Sequence, residues 1–170
     1  MVAIGSGVGG VETLFANPKI LETKGARRVS PFVVPYSIVN MPSGIVAIHF
    51  QLGGPNLRHS TACATSTHAI GESAEAIARG SADVALAGGT EAPMVPLSAA
   101  CRGGLEAILS ISALHAQLLP PTIRLETVGP DCELDHVIGK ARPAQASHIL
   151  SNSFGFGGTN GSLIFSHPDA

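Results

Sequence analysis

Cys63 stands in the run Ser60-Thr61-Ala62-Cys63-Ala64-Thr65-Ser66, a thiol among small residues where a short apolar stretch gives way to a helical pattern. At a strand-to-helix turn, a cysteine meets unsatisfied backbone N–H groups and the positive end of the helix dipole. Both favour thiolate over thiol and make the sulfur nucleophilic near neutral pH. Small neighbours leave room for a substrate to approach. The same placement also suits a small buried hydrophobe, the commoner fate of a cysteine, and spacing alone leaves the two roles even.

A second run, Ser151-Asn152-Ser153-Phe154-Gly155-Phe156-Gly157-Gly158-Thr159-Asn160-Gly161, interleaves glycines with two phenylalanines. Such a turn can point a main-chain N–H at a developing oxyanion. It can equally be a hairpin with a glycine bulge. A third run, Gly5-Ser6-Gly7-Val8-Gly9-Gly10, follows the apolar Val2 to Ile4 and weakly resembles a phosphate-cradling turn. That reading needs a strand, loop and helix with an acidic residue on the next strand. The pattern after Gly10 does not supply them, so nucleotide binding is not expected.

Composition narrows the remaining classes. Ten basic and 12 acidic residues without a cluster of either sign lack the footprint of a nucleic-acid binder. Cys63, Cys101 and Cys132 form no CxxC and no metal-ligand spacing, so no disulfide framework, metal or cofactor is expected, and a reducing compartment suits them. No apolar run approaches the roughly 18 to 20 residues of a membrane span. The first ten residues lack the basic segment of a secretory signal. Hydrophobic residues make up 45% and charged residues only 13%, with 20 glycines and 12 prolines, a profile that suits a piece buried in something larger.

The elements that must position these runs alternate between strand and helix, which indicates an α/β domain. Val2 to Ile4 reads as a strand. Apolar spacing from Ile38 to Phe50 predicts a helix with Pro42 near its first turn. A strand over Leu57 to Ala62 leads into a helix over Ala64 to Arg79, with Ile70, Ala74 and Ile77 on one face, a Glu75–Arg79 pair and Gly80 as a left-handed cap. Asp83 to Ala87 reads as the next strand. Leu105, Ile108, Leu109, Ile111 and Leu114 mark a helix stopped by Pro120 and Pro121. Late strands at His148 to Phe154 and Ser162 to Ser166 flank Gly155 to Gly161.

Together, Thr61-Ala62-Cys63-Ala64-Thr65-Ser66, Ala87-Gly88-Gly89-Thr90-Glu91-Ala92 and Asn152-Ser153-Phe154-Gly155-Phe156-Gly157-Gly158-Thr159-Asn160 resemble, in order, the β-ketoacyl-acyl-carrier-protein synthases of the thiolase-like fold. Arg28 to Phe32, Asn40-Met41, Gly54-Pro55-Asn56, Leu119 to Ile123 and Leu125-Glu126 agree as well. The resemblance implies a partial layered αβαβα fold and a decarboxylating Claisen condensation in fatty-acid or polyketide chain elongation. Cys63 would accept the acyl group from an acyl-carrier-protein or coenzyme A thioester, and a malonyl-carrier thioester would supply the carbanion. The backbone N–H groups of Cys63 and Phe156 would form the oxyanion hole, with Phe156 also gating acyl access. A homodimer is implied, in bacterial cytoplasm, mitochondrion or plastid.

The family's two histidines, in HGTGT-like and GHxxGAAG-like segments, have no counterpart. Counting back from Gly103, the second would fall at Leu97. Residues 1–98 match part of the amino-terminal half and 103–170 part of the carboxy-terminal half, with a seam at 99–102. These gaps are expected of a truncated or misassembled gene model or a splice product, impaired in condensation. A noncatalytic remnant that pairs with an intact synthase or binds acyl-carrier protein is the alternative. A cysteine hydrolase would need a base near Cys63, and none is identifiable. His68, about 140° around the helix from Cys63, should point away from the thiol as a packing or surface residue. His49, His59, His115, His136, His148 and His167 match no catalytic motif.

Overall fold

The computed structural model describes residues 1–91, 103–132 and 134–170. Leu97, Cys101 and the expected seam lie outside the described residues. Two compact units divide the chain: Met1–Gly104 with Asn152–Ser162, and Leu105–Ser151 with Leu163–Ala170.

The first unit is built on a three-stranded parallel sheet of order β2-β1-β3, with β1 at Val2–Gly5, β2 at Asn56–Leu57 and β3 at Leu86–Gly89. Val2 pairs with both Asn56 and Leu86. Parallel neighbours need long crossovers, and these are helical. α1 (Val11–Lys24), α2 (Val33–Ser37) and α3 (Met41–His49) lie between β1 and β2, and α4 (Thr65–Ala78) between β2 and β3. α3 packs on β1 and β2, and α4 on β1 and β3. Buried Ser43 fixes the first of these, its hydroxyl bonded to the Asn56 side chain.

Several expected boundaries shift, each for a local reason. Ile38 closes α2, donating its N–H to the Val34 carbonyl at 3.2 Å, so α3 begins at Met41 with Pro42 in its first turn. The strand expected over Leu57 to Ala62 is paired only at Asn56–Leu57, after which the chain leaves the sheet for a 3-10 turn at Ala62–Ala64. β3 begins three residues after Asp83, and Val84 before it is 75% exposed.

α4 forms nearly where expected but buries a different face. Thr65, Ser66, Thr67, Ala69, Ser73 and Ala76 are buried, while Ala74 and Ile77 are exposed. A stripe of small side chains lets the helix approach the sheet closely, and the core there is Met1, Ala3, Ala69 and Ala76, with Ala82, Ala85 and Ala87 against it. Hydrophobic weight pointed to the isoleucines, whereas steric fit selects the alanines. The helix stops as expected at Gly80, φ 71°, through Gly80 N–H to Ile77 O at 2.9 Å and Ser81 N–H to Ala76 O at 2.8 Å. The Glu75–Arg79 pair forms at 2.9 Å on the surface.

In the second unit, most of α5 (Gly103–Ala116) precedes β4 (Leu118–Leu119), which pairs antiparallel with β5 (Arg142–Pro143). Gln117, φ 53°, ends α5 before the prolines are reached. Its side chain donates to Leu114 O at 2.6 Å and Ala146 O at 3.0 Å and accepts from Ala146 N–H at 2.8 Å. Leu105, Ile108, Leu109 and Ile111 are exposed, and over residues 104–116 only Ala107 and Leu114 are deeply buried. Periodicity shows which face a helix could bury, and neighbouring elements decide what it does bury.

β6 (His148–Gly155) and β7 (Thr159–Ser166) form a hairpin closed by Phe156, Gly157 and Gly158. Gly157 and Gly158 take φ of 85° and 78°, and Gly155 and Gly161 lie inside the strands. The long glycine run is therefore a tight turn with two strand glycines. Among the described residues, no helix is long and apolar enough to cross a membrane.

Candidate active site

Cys63 occupies the middle of the 3-10 turn that opens α4 and is half-buried. Ala62 before it has φ 48°, a left-handed conformation that costs a residue with a Cβ on the order of 1 kcal/mol. Surrounding bonds must hold such a turn, and Thr61 supplies several of them. Its N–H donates to Thr65 Oγ1 at 2.9 Å, and its carbonyl accepts from Ala64 N–H at 3.1 Å and from Thr159 Oγ1 at 3.3 Å. Its hydroxyl lies 2.7 Å from His68 Nδ1.

Two glycines admit the neighbouring backbone. A Cβ on Gly5 would stand 2.2 Å from His59 O and 2.5 Å from Thr65 Cγ2, so the end of β1 can meet the cysteine segment only as glycine. A Cβ on Gly155 would meet Thr61 O and Thr159 O at 2.8 Å. The hairpin therefore lies directly against the turn that carries the thiol.

Further bonds tie the hairpin down. Thr67 Oγ1 donates to Ser153 Oγ at 2.8 Å between two buried side chains. His68 Nε2 lies 3.0 Å from Asn160 O. The Thr159 hydroxyl is shared between Thr61 O and Phe156 O, the latter at 3.4 Å. Phe156, in the turn between β6 and β7, is 90% exposed. Cys63 and Phe156, singled out for one site, sit on segments that the Thr159, Thr67 and His68 side chains tie together.

The glycine run after β1 holds an anion of the chain's own making. Glu91, just past β3, accepts from Gly7 N–H at 2.7 Å, Val8 N–H at 3.1 Å, Gly9 N–H at 3.1 Å and Ser6 Oγ at 2.9 Å. Consecutive N–H groups make a concavity for negative charge, and a carboxylate fills it. An acidic residue does follow the adjacent strand, but it occupies the phosphate's place. Beside this latch is a cavity of about 280 Å³ lined by Gly10, Tyr36, Ile38, Met41, Ile45 and Glu91 among others.

Burial holds the His59 imidazole below the ordinary 6.5, with Glu72 pulling the other way and the charges of His68 and Arg58 adding to the lowering. Its Nδ1 is buried with no partner among the described residues. The unfolded chain therefore binds this proton more readily than the folded one. The neutral ring's contribution to stability is intact above pH 6.5 and is lost as pH falls through the lowered value. Urea midpoints measured from pH 7.5 to 5 should fall more steeply for the native chain than for His59→Asn. Parallel pH profiles would refute this assignment.

His68 and Glu91 are the two participants that sequence reasoning missed. The helical angle tested only whether His68 faces Cys63, and a side chain that faces away from the thiol can still bond the segments around it. Among the described residues, no cluster of three or more His, Cys, Asp or Glu side chains could hold a metal ion.

A family model described as the N-terminal domain of beta-ketoacyl synthase matches residues 1–113. The 3-oxoacyl-[acyl-carrier-protein] synthase 2 of Coxiella burnetii is 46% identical over 111 residues, covering 65% of this chain and 26% of the relative. The chloroplastic synthase I of Arabidopsis thaliana is 46% identical over 105 residues, covering 59% of this chain and 22% of that one. The matched segment thus spans about a quarter of the curated relatives. Among solved structures, a beta-ketoacyl synthase from Burkholderia phymatum aligns with a TM-score of 0.87 at 20% identity, over 98% of this chain and 74% of that chain. The ishigamide ketosynthase/chain length factor aligns with a TM-score of 0.82 at 15% identity, over 97% of this chain and 74% of its own. These likenesses identify a partial thiolase-like α/β fold. With the family match running through both the cysteine turn and the Glu91 latch, this chain belongs to the beta-ketoacyl synthase family.

Proposed function

We propose that the chain carries the acyl-accepting step of 3-oxoacyl-acyl-carrier-protein synthesis. The Cys63 thiolate attacks the carbonyl carbon of an acyl-carrier-protein or coenzyme A thioester. The resulting oxyanion is met by the N–H groups of Cys63 and Phe156. Collapse expels the carrier thiolate, which takes a proton, and leaves the acyl group on Cys63. What supports this reading above all is the Thr159 hydroxyl shared between Thr61 O and Phe156 O, which ties the Phe156 turn to the segment that carries Cys63.

Condensation is a separate matter. Decarboxylation of a malonyl thioester develops an enolate that needs donors, and the sequence has neither of the family's histidine segments. The chain is accordingly an acyl acceptor that does not elongate. Incubation with acyl-carrier-protein or acyl-coenzyme A thioesters should add one acyl mass, labile to hydroxylamine and mapped to Cys63. An adduct only on Cys101 or Cys132, or none, would refute the reading.

A noncatalytic partner is the second reading, favoured by exposed apolar side chains on the first unit, including Phe15 at 75%, Ile48 at 77% and Phe50 at 61%. Surface of this kind commonly marks an interaction site. Co-elution with an intact synthase, as a complex that unfolds cooperatively, would support it. Separate elution would remove it.

A further inference from the structure

The ring of His68 lies between the two segments that acyl transfer must bring together. It sits in the first turns of α4, with Nε2 3.0 Å from Asn160 O on the hairpin and Nδ1 2.7 Å from Thr61 Oγ1 on the cysteine segment. A carbonyl oxygen only accepts, so Nε2 carries the hydrogen. In the neutral ring Nδ1 then accepts the Thr61 hydroxyl proton. The tautomer is fixed by its partners, and the imidazole acts as a rigid strut.

The strut bears on Thr61, two residues before the thiol. The N–H and C=O of Thr61 are already bonded to Thr65, Ala64 and Thr159. The bond to His68 fixes its side chain as well. One residue later Ala62 takes its left-handed conformation, and Cys63 follows. On the other side, Asn160 lies four residues after Phe156 and directly beside Thr159, which bonds Phe156 O. Without the ring, the turn and the hairpin keep the Thr159 and Thr67 bonds but lose the strut that spaces them.

We propose that His68 is a positioning residue for acyl transfer at Cys63, its ring holding the cysteine turn and the glycine hairpin at the separation the oxyanion requires. The inference rests on the acyl-acceptor reading above. His68 performs no proton transfer, because both ring nitrogens are committed to the strut.

Two reactions of the same sulfur test it. Acyl transfer needs the hairpin's N–H beside Cys63, whereas alkylation by iodoacetamide displaces iodide and forms no oxyanion. His68→Ala is expected to slow acylation from an acyl-coenzyme A thioester by roughly tenfold or more, in line with small misplacements of reacting groups. Alkylation of Cys63 should stay within about twofold, since the sulfur's approach to a small electrophile needs no second donor. Thr61→Val, which deletes the hydroxyl and keeps the shape, should show the same split. His68→Gln, which retains one donor and one acceptor, should recover part of the acylation rate.

Acylation and alkylation falling by one common factor would overturn the proposal, since that marks a general loss of structure. Unchanged acylation in both His68→Ala and Thr61→Val would overturn it too. If the native chain takes no acyl group, the acyl-acceptor reading falls and takes the strut with it. That outcome is distinct from a native chain that acylates and variants that match it. Thr61→Val keeps the test open should His68→Ala fail to fold.

Discussion

Cys63→Ala is expected to abolish the acyl adduct entirely, and Cys63→Ser to reduce its rate by at least about a thousandfold, without unfolding the chain. Serine is the informative variant. Its hydroxyl is not ionised near neutral pH and becomes a nucleophile only with an adjacent base. The imidazole bonded into the cysteine segment is that of His68, and it has no free nitrogen to offer, with Nδ1 on Thr61 and Nε2 on Asn160. On the acyl-acceptor reading the greater nucleophilicity of sulfur carries the attack, and oxygen is not expected to replace it. Both variants are small and Cys63 is half-buried, so the unfolding free energy should change by no more than about 0.5 kcal/mol. Intact-mass kinetics with a coenzyme A thioester would measure the rates. Serine reacting within tenfold of cysteine would mean that a base does serve the site, and the strut assignment for His68 would have to be abandoned.

The same serine result bears on elongation. An enzyme that completes the condensation needs groups that stabilise an enolate. The donors proposed at the cysteine site serve a tetrahedral intermediate, and the histidine bonded to the cysteine segment among the described residues, His68, is proposed as a strut. No β-ketoacyl product is therefore expected with malonyl-carrier protein, even after Cys63 is fully acylated. Its detection would show that the missing histidine segments are replaced by something else.

The site could be read from the sequence where its chemistry is local, and was obscure where it depends on tertiary contacts. Cys63 at a helix start, Gly80 as a cap and the Glu75–Arg79 pair each follow from residues within a few positions of one another. α4's buried face did not follow, because Ile70 and Ile77 carry the hydrophobic signal while Ala69, Ser73 and Ala76 fit against the sheet. α5 shows the same limit, its periodic leucines and isoleucines being mostly exposed. The bonds of His68 were not legible because its partners lie seven residues before it and 92 after it. Glu91 was overlooked for a related reason. The glycine run asked for an anion, and the sequence gives no sign that the anion sits 82 to 85 residues away on a parallel neighbour. β1 and β3 are adjacent only once the sheet forms.

That long-range latch carries the largest expected effect on stability. Glu91→Ala would leave the N–H groups of Gly7, Val8 and Gly9 and the Ser6 hydroxyl without their common acceptor. A hydrogen bond to a charged group contributes about 1.5 to 3 kcal/mol. The four cannot simply be added, because they share one carboxylate and water can reach the Val8 bond, which is exposed. A net loss of about 3 kcal/mol is expected, read as a lower urea midpoint with an unchanged slope. Glu91→Gln should cost nearly as much, since its amide turns donors toward a loop of donors, whereas Glu91→Asp should recover part of the loss. The loop also reaches the cysteine segment: Ser60 Oγ, three residues before Cys63, donates to Gly7 O at 3.3 Å. Loosening the latch should therefore slow acylation of Cys63 as well. A Glu91→Ala chain as stable as the native one, or less stable but equally fast to acylate, would respectively refute the latch and its link to the cysteine turn.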